Sequence, residues 1–122
     1  MEKINPQQKF TLISDYWNPK IIGELNQFAV KFVKIKGEFI WHHHDEEDEL
    51  FFVIKGRLLM QVREEHEQNI WVEEGEFIII PHGIEHRPVA TEETHLMLLE
   101  PKTTVNTGNI QSERTVLHVE HL

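Results

Sequence analysis

His42, His44, Glu49 and His86 are the residues whose types and spacing could do chemistry. The first three lie in the run Trp41-His42-His43-His44-Asp45-Glu46-Glu47-Asp48-Glu49, and the fourth closes Gly75-Glu76-Phe77-Ile78-Ile79-Ile80-Pro81-His82-Gly83-Ile84-Glu85-His86. Three imidazoles and one carboxylate are a full set of protein donors for a divalent transition ion. They leave one or two coordination positions open for a substrate, a chelating ligand or O2. Imidazole suits Fe, Mn, Zn, Ni and Cu to differing degrees, and the carboxylate hardens the set; affinity alone favours copper, nickel or zinc. Protons compete for imidazole, so acid should release such an ion.

Those side chains need elements that aim them. His42 and His44 are two apart, so on a strand they point the same way, about 7 Å apart at the backbone. His43 has the opposite parity and is expected to face out. Glu49 follows a four-residue acidic stretch, Asp45 to Asp48. In a hairpin it would return beside His44, with Phe51 and Val53 on its inward face. His86 comes from a distant strand, and Pro81 and Gly83 shape the turn before it.

The central stretch from about Ile21 to Glu100 reads as short strands separated by turns. Leu58, Met60 and Val62 alternate with Leu59, Gln61 and Arg63, a period-2 pattern. Ile54-Lys55-Gly56-Arg57 is a tight hairpin turn before that strand, and Glu64 to Asn69 is a polar turn after it. Strands are predicted over Ile70 to Glu73, Phe77 to Ile80, Ile84 to Val89 and Thr94 to Glu100, the last two split by Thr91-Glu92-Glu93. Phe28, Val30 and Phe32 keep one parity and Val33 and Ile35 the other, which predicts a bulge or bend between them. A short helix is predicted over Pro6 to Asp15, with Pro6 in its first turn.

Such a series of strands with Gly and Pro turns predicts an all-β sandwich or small barrel. At 122 residues the chain is read as one domain: an N-terminal arm 1–20, a barrel about 21–100 and a C-terminal tail 101–122. Leu50 to Ile54 and Phe77 to Ile80 are apolar on both strand faces. Their outer face therefore needs a cover, either a second packed sheet or another subunit, and a homodimer is the expectation carried forward.

Composition narrows the function classes. The net charge is -9, from 12 basic and 21 acidic side chains, which argues against a nucleic-acid partner. There is no cysteine, hence no disulfide or thiolate site, which suits a reducing cytoplasm. The N-terminus has no apolar run of the kind a signal peptide carries, and no segment approaches the ~18 apolar residues of a membrane span.

The two motif-bearing runs resemble those of the cupins, a superfamily of small jelly-roll β barrels. The first cupin motif reads Gly, about five residues, His-x-His, three or four residues, Glu, six residues, Gly. Here Gly37 is followed by four residues, His42-x-His44, four residues, Glu49, six residues and Gly56. The second motif reads Gly, five residues, Pro-x-Gly, two residues, His, three residues, Asn. Here Gly75, Pro81-His82-Gly83 and His86 fit that spacing, and Ala90 stands in place of the Asn, which is not a metal ligand. The resemblance implies a cupin jelly-roll barrel (a double-stranded β-helix) with His42, His44, Glu49 and His86 as metal ligands. The tail, with Asn106-Thr107-Gly108, looks like those of small single-domain cupins often labelled as resembling mannose-6-phosphate isomerase. The chain is too short to resemble the full isomerase, whose activity is not carried over.

Other chemistry-bearing residues have plainer readings. His82 is a rim residue, His95 a satisfied core histidine or an outer partner of the site, and Trp41 packs at the barrel mouth or a sheet edge. Phe51 and Met60 are core, and Arg57 and Arg87 surface. Ser14 and Ser112 have no triad context, and Glu46 or Glu47 as general base is a remote alternative. The resemblance implies a metal-dependent enzyme acting on a small organic molecule, dioxygenase- or isomerase-like, with iron or manganese oxygenase chemistry favoured. A non-catalytic small-molecule binder and a barrel with a structural metal are the alternatives. An open cavity at the ligands favours the enzyme, and a saturated cluster with no adjoining cavity favours the structural role.

Overall fold

The computed structural model describes residues 1–122. A short helix, α1 (Pro6–Phe10), precedes seven strands: β1 (Lys20–Leu25), β2 (Phe28–Glu38), β3 (Glu49–Lys55), β4 (Arg57–Arg63), β5 (Glu67–Glu73), β6 (Phe77–Ile80) and β7 (Glu85–Pro101). All strand pairs are antiparallel, and the order β1-β2-β7-β3-β6 is completed by β4, which pairs with β5 and β7. This is the all-β, jelly-roll-like barrel with a short N-terminal helix that the sequence predicts.

The barrel is assembled around β7. Its first half pairs with β4, Val62 opposite His86 and Met60 opposite Pro88. Its second half runs between β2 and β3, Leu96 opposite both Val33 and Val53. The two strands predicted at 84–89 and 94–100 are therefore one continuous strand. Thr91, Glu92 and Glu93 are exposed where it passes from one set of partners to the other, and on either side of that stretch the even-numbered residues face inward. Polar residues mark an exposed stretch without ending a strand when the ladder partners continue. The same holds for β5, which begins at Glu67 inside the predicted turn because Glu67 and Gln68 pair with Arg63 and Val62.

The core is the inward set of Val33, Ile35, Phe51, Val53, Leu58, Met60, Val62, Val72, Ile80, Leu96 and Leu98, with Ala90. Phe51 and Met60 lie in it, as expected. The hairpin turn joining β3 and β4 is at Gly56 (φ +96°), where a Cβ would meet the Thr94 side chain at 2.7 Å, so only glycine fits.

The parity change in β2 is not a bulge. The β2–β7 register runs unbroken from Phe28 to Ile35, and its irregularity falls between Ile35 and Gly37. Odd-numbered residues face the core, and Phe32 faces outward, buried in a second cluster with Phe10 and Ile13. Helix α1 stops at Phe10, short of the predicted Asp15. Asn5 caps its start, accepting from Gln8 N, and the chain then turns so that Phe10 and Ile13 both cover Phe32. Phe10 stacks on Phe32 at 4.9 Å between ring centroids. Leu122 joins this cluster, and its amide donates to Ile21 O.

Part of the outer sheet face is thus covered from within the chain. The rest is not: Phe77 and Ile79 on β6 are more than half exposed, beside half-buried Leu50 and Phe52 on β3. No helix is long and apolar enough to cross a membrane.

Candidate metal centre

The segment between β2 and β3 carries His42 and His44, and it is a loop rather than the predicted strand. It does not form a hairpin with β3, whose partners are β6 and β7. Instead it is tied to the turn before β7. His42 N donates to His86 O and His86 N to His42 O, at 3.0 and 2.8 Å, and Gly83 N donates to His44 O at 2.7 Å. Gly83 (φ +82°) makes the turn. Two backbone bridges, not strand periodicity, set the spacing of the histidines.

His42, His44, Glu49 and His86 converge: one potential ligand atom from each lies within 4.8 Å of those of the other three, and all four residues are buried. His44 Nε2 is 2.8 Å and His86 Nε2 3.3 Å from Glu49 Oε1. These contacts are close but lack hydrogen-bond geometry. His44 Nε2, Glu49 Oε1 and His86 Nε2 are buried atoms without a hydrogen-bond partner. Unpaired buried polar atoms are costly, and a cation among them satisfies all three. The rings are also pre-aimed. His42 Nδ1 meets Ile40 O and His86 Nδ1 meets Ile84 O, each at 2.9 Å, which places the hydrogen on Nδ1 and leaves Nε2 with a lone pair. The residues fit a divalent transition ion.

Electrostatics supports neutral imidazole and ionised carboxylate. Burial, with His86 beside it, pulls His42 down to about 4. Burial alone would raise Glu49, but contacts with Glu100, His44 and His86 outweigh it and hold Glu49 well below the ordinary range. Glu100 moves the other way: burial, then the negative charge of the adjacent Glu49, raise it well above the ordinary range against the pull of Lys31.

A cavity of about 40 Å³ adjoins the cluster, room for roughly two or three water-sized groups. His42 and Glu49 line one side, with Val33, Ile35, Leu96 and Leu98 as an apolar wall and Glu100 and Asn106 as further polar groups. Trp17 and Phe39 stack beside it at 4.9 Å. The tail also reaches the ligand loop. Asn109 N donates to His43 O, and His43 N donates to Asn109 Oδ1, both at 2.9 Å. At Gly108 (φ +55°) a Cβ would lie 2.1 Å from His43 O.

The remaining expectations sort cleanly. His43 points away from the cluster to Asp45 at 2.9 Å. His82 is exposed and bonded to Asp48. His95 is an outer-face residue, stacked on Phe10 at 4.4 Å and bonded to Glu93, so it is neither core nor a partner of the site. Arg57 lies over Trp71, and Trp41 is half-buried under the guanidinium of Arg63. Sequence reasoning missed Lys31, Glu100 and the tail contacts. The inward parity of Ala29-Lys31-Val33-Ile35 and of Leu96-Leu98-Glu100 was a signal for the first two.

An antiparallel barrel enclosing three converging imidazoles and a carboxylate defines the class, a jelly-roll protein with a candidate metal centre. The chain belongs to the cupin family, whose model, described as a cupin domain, matches residues 31–101. A cupin-2 domain containing protein from Shewanella frigidimarina is similar in structure, with a TM-score of 0.77 and 43% identity over 81% of this chain and 94% of that one. The uncharacterized protein YdbB of Bacillus subtilis is 32% identical over 66% of this chain and 70% of its own length. An acireductone dioxygenase of Phaeosphaeria nodorum is 30% identical over 79% of this chain, which spans 56% of that protein.

Proposed function

We propose that this cupin is a metal-dependent enzyme of dioxygenase type acting on a small organic molecule, with His42, His44, Glu49 and His86 as the ligands. The observation that carries the reading is the convergence of buried, unpartnered His44 Nε2, Glu49 Oε1 and His86 Nε2 beside a cavity. A saturated structural site would have no such cavity. A bound ion supplies Lewis-acid or redox chemistry there; iron and manganese are the favoured identities, with zinc, nickel and copper as alternatives. The chain's own part is to present neutral imidazoles, keep Glu49 ionised and exclude water with the apolar wall. The similarity to an acireductone dioxygenase supports oxygenase over isomerase chemistry.

Wild-type protein is expected to carry near one equivalent of divalent metal per chain by elemental analysis, and the iron-loaded form to consume O2 with small enediol or phenolic probes. Absence of metal after reconstitution overturns the site. Metal binding without turnover of any probe favours a second reading, a non-catalytic small-molecule binder, which the apolar wall also suits.

Residues 1–122 are read as one cupin unit of the cytoplasm. The uncovered Phe77 and Ile79 face supports a homodimer; sedimentation of wild type against Phe77→Asp tests it, and a monomeric wild type refutes it.

A further inference from the structure

Lys31 and Glu100 are the most deeply buried charged residues that the proposed function leaves unused. Lys31 Nζ is 2.8 Å from Glu100 Oε1, and the two side chains are only 4% and 2% exposed. Apolar replacement of an interior ion pair is often neutral or stabilising, so stability alone gives little reason for this one. Its location gives a better reason. Lys31 faces inward on β2 opposite Leu98, and Glu100 sits two residues further along β7. Leu50 of β3 pairs with Leu99, so Glu49 and Glu100, the next residues outward, stand side by side on the inner face.

Glu100 has one oxygen on Lys31, while its Oε2 is buried with no other donor to meet. Glu49 Oε1 is likewise buried without a hydrogen-bond partner, and both carboxyl groups line the same cavity. Two buried carboxyl groups side by side favour a hydrogen between them. Lys31 Nζ–H donates to Glu100 Oε1, and a hydrogen on Glu100 Oε2 turned to the neighbouring Glu49 carboxylate would complete a chain. Three strands, β2, β7 and β3, each contribute one member.

We infer that Lys31 and Glu100 are positioning residues for the metal-ligating carboxylate, holding Glu49 in one orientation and drawing charge from it so that its donor strength toward the ion is set from behind. The inference rests on the metal-site reading above. Partners that hydrogen-bond a metal ligand orient and tune it, and losing one typically weakens binding about 10–100-fold.

The full chain, stripped of metal and titrated with Co2+, provides the test, read as affinity against a competing chelating dye and as the d–d absorption envelope. The double variant Lys31→Met/Glu100→Leu keeps the volume and removes the charges. Co2+ affinity is expected to fall about 10–100-fold, with an altered envelope. Glu100→Gln, whose amide can donate to Glu49 and accept from Lys31, should restore affinity to within a few-fold. Wild-type affinity and spectrum in the double variant overturn the inference while leaving the metal site intact, as does a Glu100→Gln defect as deep as that of the double. A wild type that takes up no Co2+ overturns the metal reading and this inference together. Should the double variant not fold, Lys31→Gln decides: an altered envelope supports the positioning role and an unchanged one refutes it.

Discussion

Two polar clusters sit side by side in this barrel and follow opposite rules. Lys31 and Glu100 are a donor and an acceptor matched to each other, carried on β2 and β7, whose register the ladder fixes. His42, His44, Glu49 and His86 bring lone pairs toward lone pairs, and two of them sit on a loop held by backbone bridges to the turn before β7. The first cluster is closed from within the fold except at Glu100 Oε2, which is left beside Glu49. The second is costly until a cation enters it. Polarity in a core is thus either closed by its neighbours or left open for an outside partner, and the pattern of unpartnered atoms tells which.

The sharpest break in the contrast is to remove a ligand. His44→Ala should cost ~3–4 kcal/mol of metal affinity, about a quarter of the ~12 kcal/mol typical of a structural zinc site. It should lower melting temperature only in metal-loaded samples. Calorimetry with and without chelator checks this; an equal loss in both would make His44 a packing residue.

Acid comes next. The unfolded chain protonates His42 near 6.5, whereas the native fold resists until about 4, so unfolding takes up a proton between these values. This contribution is complete above pH 6.5 and is lost as pH falls toward 4, about 3 kcal/mol over the 2.5-unit gap. Urea melts of metal-free protein at pH 7 and 4.5 should show the loss, and His42→Phe should lack it.

The smallest effect concerns the tail. Gly108→Ala must displace the His43 carbonyl and strain a positive φ, costing about 1–2 kcal/mol. Metal affinity should fall modestly as the loop shifts, and a dye-competition titration would detect it. No change in affinity would mean the tail packs on the loop without setting it.

The four convergent residues were legible because their types and spacing match a donor set, and the β4 pattern because one of its faces is dry. What misled was an apolar residue facing the wrong way. Phe32 looked like a change of phase because α1 and Ile13, far away in sequence, bury the outside of β2. Lys31 and Glu100 were overlooked for the converse reason. A charged residue at an inward position reads as a surface one until its partner across the ladder is known, and no local pattern reports a pairing 69 residues away. The loop at His42 read as a strand since two-residue spacing fits either, and only the bridge to His86 decides.

Strand β7 hydrogen-bonds to β2, β3 and β4 along its length. Amide protons on such a strand exchange only when most of the barrel opens, while a loop secured by a few backbone bonds opens by itself at much lower free energy. His86 is therefore carried on the most extensively paired strand, with its own amide bonded to the loop at His42 O, while His42 and His44 sit on the part that opens more easily. An ion would enter and leave by a hinged half-site closing against a fixed one, with its residence time set by the loop rather than by the barrel.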